Sequence, residues 1–93
     1  MVGLMDIDDL LAEASCLIHG DRQQTYGDID ESWEQIGKLW SAILDLEEPI
    51  PAHVVGLMLA QMKIYRIAVS PKHTDSYIDA LAYIAGAGEI ATR

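Results

Sequence analysis

The chain has 93 residues, 51% of them hydrophobic, and a formal net charge of −9. That length allows a single domain, residues 1–93, with a modest core, and so apolar a chain is not a disordered one. The acid excess argues against a nucleic-acid duplex as partner, because phosphate backbones are gripped by clustered Lys and Arg, yet it is compatible with a nucleotide held through metal ions by carboxylates.

Residues 1–6 contain no basic region and no long apolar run. No signal peptide is read there, and no segment reads as apolar enough to span a bilayer. The expectation is therefore a cytoplasmic protein with no membrane partner. Asp6 is placed to cap a first helix, in which Ile7, Leu10, Leu11, Ala14, Leu17 and Ile18 recur at helical spacing. Asp8 and Asp9 suit the positive end of that helix, and Gly20 follows His19 as a stop. Cys16 lies within it and is the only cysteine, which excludes an intrachain disulfide or a cysteine zinc cluster. In the loop from Gly20 to Asp28, two glycines bracket Arg22 and Tyr26.

A second helix begins near Asp28 or Asp30. Its stripe of Ile29, Trp33, Ile36, Trp40, Ile43 and Leu44 is read as a core face, with both tryptophans packed inside. Glu31, Glu34, Lys38 and Asp45 fall opposite, Glu34 and Lys38 at the spacing of an exposed pair. A Glu- and Pro-rich turn leads to Pro51, which opens a third helix running to about Val69. This helix is apolar nearly all round, the pattern of a buried element. Ala52, Gly56, Leu59, Lys63 and Arg66 share one sector, where the small residues let a neighbouring helix come close. A short loop with Pro71 ends it. Thr74 is read as the cap of a fourth helix reaching about Ile90, with an apolar arc (Tyr77, Ile78, Leu81, Ala82, Ile84, Ala85) and an adjoining stripe of Asp75, Asp79, Tyr83 and Gly86. Gly86 and Gly88 weaken its end. The pattern predicts an all-α protein of four helices that completes its core as a homo-oligomer, in first place a dimer.

Two carboxylates four apart on a helix, Asp75 and Asp79, can share a hard cation such as Mg²⁺, with Glu31 or Glu34 as the further ligand such sites need. Lys63 and Arg66, three apart, either hold phosphate oxygens or neutralise those carboxylates. His73 and Tyr83 are placed to line the same cleft. No base stands beside Cys16 and no nucleophile elbow is present, so nucleophilic catalysis is not indicated.

Taken together, Gly20-Asp21-Arg22, Tyr26-Gly27, Leu39-Trp40-Ser41, Lys63-x-x-Arg66 and His73-x-Asp75-x-x-x-Asp79 resemble a family of small helical proteins encoded mostly by phages and prophages. More distantly, the chain is similar to MazG-like all-α nucleoside triphosphate pyrophosphohydrolases, whose Glu-x-x-Glu helix and Glu-x-x-Asp helix hold Mg²⁺ at the triphosphate. Glu31-Ser32-Trp33-Glu34 matches the first motif; in the second, Ser76 stands where a Glu would precede Asp79. The resemblance implies a MazG-like bundle with Mg²⁺, or Mn²⁺, on Asp75, Asp79, Glu31 and Glu34, and a nucleotide steadied by Lys63, Arg66, Arg22 and Tyr26. The rival expectation is a non-enzymatic helical interaction protein in which the charged cluster is a structural network.

Overall fold

The computed structural model of the chain describes residues 5–20 and 28–93. These form four helices, α1 (Ile7–His19), α2 (Ile29–Leu44), α3 (Ala52–Val69) and α4 (Thr74–Ala91), with no strand among the described residues. The all-α expectation holds, with element bounds close to those read from periodicity.

α3 and α4 are the frame. Lys63 meets Asp79, and a Cβ on Gly56 would stand 3.1 Å from that of Ala87. Moving away from the turn on one helix thus matches moving away from it on the other, so the two run antiparallel. The turn is held by the Tyr77 hydroxyl, which donates to the Pro71 carbonyl at 2.8 Å, and by the Ser70 N–H, which donates to Arg66 O at 2.8 Å. His73, not Thr74, is the N-cap of α4; its Nδ1 lies 2.7 Å from the hydroxyl of the fully buried Ser76.

α2 lays its inner face on α3, and α1 packs on α4. The core is Trp33, Val55 and Ala87, ringed by half-buried side chains such as Ile29, Ile36, Trp40, Leu59 and Tyr83. Trp33 is only 5% exposed because glycines give it room. A methyl on Gly56 would run into its ring, and one on Gly86 would meet the ring at 2.9 Å and Ile29 at 2.6 Å. The small-residue sector of α3 therefore does admit a neighbour, the indole of α2. Gly86 and Gly88 do not end α4, which continues to Ala91.

The start of α1 and the end of α2 have local causes. Asp6 and Asp9 form a reciprocal capping box at α1: Asp6 accepts from the Asp9 N–H at 2.8 Å, and Asp9 from the Asp6 N–H at 3.3 Å. α2 stops at Asp45, which adopts the left-handed conformation (φ 57°) that a short polar side chain tolerates. The buried Ser41 hydroxyl then donates to Gly37 O at 2.6 Å and accepts the Ile50 N–H at 2.7 Å, pinning the 45–50 turn against α2.

Two expectations about burial are corrected. The stripe on α2 was expected to carry Ile43 and Leu44 inside, but they are 81% and 60% exposed. Gly37 and Ser41 occupy the inward positions instead, because the returning turn lies directly on them. α3 was expected to be buried nearly all round; Leu57, Met58, Met62, Ile64, Tyr65 and Val69 are exposed. α2 and α4 together cover the Ala52–Val55–Gly56–Leu59–Lys63 side, and nothing among the described residues covers the rest. By length and mean hydropathy (18 residues at 1.2) α3 is long and apolar enough to cross a membrane, contrary to the sequence expectation, because Lys63 and Arg66 are the only charges among its 18 residues.

Candidate functional site

The charged cluster is built by the α3–α4 hairpin. Lys63 and, one turn on, Ile67 face α4, so Lys63 Nζ comes to 2.8 Å from Asp79 Oδ2, with side chains 20% and 15% exposed. Arg66 falls outside that face. It is exposed and makes no ion pair among the described residues. Asp75 lies one turn before Asp79 at the start of α4 and is exposed, where the helix dipole favours its charge. Of the expected pairing of two cations with two carboxylates, the described residues show the close pair of Lys63 with Asp79.

The proposed metal ligands are not gathered. Glu31 and Glu34 are exposed on the outer side of α2, and Glu34 lies 3.7 Å from Lys38 in the expected i,i+4 pair. No three His, Cys, Asp or Glu side chains among the described residues are close enough to hold one metal ion. Tyr83, read as a cleft residue, instead stacks obliquely on Trp33, with ring centroids 6.3 Å apart at 56°, an attractive core geometry. His73 is exposed at the turn. Arg22 and Tyr26 lie outside the described residues.

A second polar site went unread in the sequence. Where α1 ends, α2 begins and α4 ends, His19, Asp28, Asp30, Glu89 and Arg93 rim a groove of about 190 Å³ floored by Ile18 and Ile29. Arg93 donates to Asp30 and lies 3.6 Å from Glu89. The hydrogen bond from the Arg93 guanidinium holds the Asp30 carboxyl below its ordinary value, and the same bond raises Arg93. Nothing in the sequence links residues 30 and 93; only the fold brings them together. As the described residues line it, the groove is smaller than the ~300–1,000 Å³ of typical small-molecule pockets.

Comparison with known proteins gives a family. The model of a domain of unknown function, DUF6378, matches residues 9–91. The Gene 55 protein of Mycobacterium phage D29 is 37% identical over 76 residues, covering 82% of this chain and 49% of that protein. The Gene 55 protein of Mycobacterium phage L5 is 35% identical over 74 residues, covering 80% of this chain and 47% of that protein. The chain spans about half the length of the curated relatives it matches. No solved structure matches it.

Proposed function

We propose, from the premise that this chain belongs to the DUF6378 family and has relatives in phages, that it acts in the host cell as a self-associating helical interaction module, with Lys63–Asp79 as a structural bolt. The observation that carries this reading is the outer apolar surface of α3, with Met62, Tyr65 and Val69 between 62% and 71% exposed. Monomeric soluble proteins rarely leave an apolar patch of more than a few hundred Å² open. The bolt follows from chemistry: an ammonium and a carboxylate in contact, both mostly withdrawn from water, satisfy each other and fix the register of the hairpin. Asp79→Asn tests it. In a structural pair the melting temperature falls and Mg²⁺ has no effect on either protein. A variant as stable as the parent that has lost a Mg²⁺-dependent stabilisation would overturn the bolt.

A second reading, a MazG-like Mg²⁺-dependent nucleoside triphosphate pyrophosphohydrolase or nucleotide-binding relative, is favoured by one observation. Glu31, Glu34 and Asp75 are all exposed, so their carboxylates are accessible to a metal ion. Among the described residues of one chain there is no trio; carboxylates brought together from two copies would supply one, which links this chemistry to self-association. There the metal would polarise phosphate oxygens and activate water, while the exposed Arg66 would supply charge to the phosphates. A panel of nucleoside triphosphates with Mg²⁺ or Mn²⁺, followed for pyrophosphate release, tests it; turnover that is lost in Glu31→Gln supports it, and no turnover with any triphosphate rejects it.

A further inference from the structure

Resting on the self-association reading, we infer that the partner is a second copy of this chain, docked antiparallel along the outer face of α3. Met58, Met62, Tyr65 and Val69 are exposed together, and their intervals of four, three and four residues are those of a helix–helix contact line. The series reads the same in both directions about a point between Lys63 and Ile64. A two-fold axis there sets Met62 against the partner's Tyr65 and Met58 against the partner's Val69. This is the self-complementarity an isologous interface requires.

Charge selects the same occupant. The chain carries 15 Asp and Glu residues and a net charge of −9, so most faces of one copy repel another. α3 has no Asp or Glu from Ala52 to Val69, and Lys63 is turned inward on Asp79. It is the one helix on which two acidic copies meet without opposing carboxylates. The extent also fits. From their fractional exposures, the four residues of the line, Met58, Met62, Tyr65 and Val69, present roughly 500 Å², the greater part of the ~800 Å² per partner of a standard interface. Two methionines on the line let it adapt to its own image.

The test uses the full chain with Cys16→Ser, which removes the exposed native thiol. Met62→Cys and Tyr65→Cys chains of different tag length are mixed and oxidised, and Met62→Glu is followed by sedimentation. The expected result is a mixed 62–65 disulfide in excess of either same-site disulfide. Met62→Glu should weaken self-association by at least about 100-fold, because it buries an unpaired charge, with helicity unchanged, since position 62 is exposed in the single chain. A self-associated protein with no mixed cross-link, or with 62–62 and 65–65 products dominant, overturns the antiparallel α3 interface and leaves self-association standing. A protein that is monomeric throughout overturns both. A monomer that floats with phosphatidylcholine vesicles assigns the face to lipid and likewise overturns the inference.

Discussion

Gly56→Ala and Gly88→Ala are the same substitution in helix interiors, and they are expected to act with opposite sign. In an exposed helix, replacing Gly by Ala stabilises by about 1 kcal/mol, because Ala loses less backbone freedom on folding. At Gly88 nothing lies within 4 Å of the added methyl, so that gain should appear nearly whole. At Gly56 the methyl would run into Cζ3 of Trp33, reach Cη2 at 2.8 Å and stand 3.1 Å from the Ala87 Cβ. Trp33 has no room to retreat, since it is 5% exposed and backs onto Gly86. Overpacking of this kind costs about 1–3 kcal/mol; against the ~1 kcal/mol helical gain the net is a loss of up to about 2 kcal/mol. The assay is urea denaturation followed by helical circular dichroism, with equal slopes required before midpoints are compared. In a domain of this size each kcal/mol moves the melting temperature by about 4–8 °C, so the two variants should part by several degrees on either side of the parent. Gly56→Ala and Trp33→Leu combined should cost less than the sum of their separate losses, as contacting residues couple. Stabilisation by both alanines would refute the packing of α2 onto α3 through Trp33.

Three further outcomes are expected. Asp79→Asn should cost about 2 kcal/mol, between the ~0–1 kcal/mol of exposed pairs and the ~3–5 kcal/mol of buried ones; thermal melting of the single and double variants with Lys63→Met measures it, and additive losses would deny the pairing. Asp30 should titrate below its ordinary 3.8 because Arg93 stabilises the charged carboxylate. With the folded pKa depressed, its contribution to stability is present above the unfolded value and is lost as pH falls through the folded value; carboxyl NMR titration reads it, and an ordinary midpoint would contradict the clasp, as would one unmoved by Arg93→Gln. Ser41→Ala removes the acceptor of the Ile50 N–H and should cost about 1–3 kcal/mol, the penalty of an unsatisfied amide, with the Ile50 amide exchanging faster; unchanged exchange would rule out the pin.

The helices were legible because local signals agree with the tertiary structure: a cap pair at Asp6 and Asp9, Pro51 and Pro71 at boundaries, and periodic apolar positions within. The facing of Lys63 and Asp79 was legible too, since a short loop between two apolar helices forces them antiparallel and a withdrawn ammonium requires a carboxylate. Periodicity failed at the end of α2. A stripe drawn through hydrophobic residues runs on to Ile43 and Leu44, while the inward positions belong to Gly37 and Ser41, chosen for a turn that packs by backbone contact and hydrogen bond. It failed again at Asp75 and Arg66. Sequence spacing puts each on the same helix face as its neighbour in the pair, but the rotation of each helix about its axis is set by packing, which brings Lys63 and Asp79 together and leaves Asp75 and Arg66 exposed. The His19–Asp30–Arg93 groove was invisible because its walls come from three helix ends with no shared sequence signal. The outer face of α3 was read correctly as apolar and wrongly as buried within the chain, since the apolarity of a helix face does not say whether the same chain folds over it.

Self-association is tested most directly by the solution mass of the unmodified chain, by sedimentation equilibrium from low to high micromolar concentration. A homodimer that dissociates only on dilution is expected, with a mass twice that of a chain of 10.2 kDa and little sensitivity to salt, because the proposed interface is apolar and lacks carboxylates. A single species of one-chain mass across the whole range would contradict it.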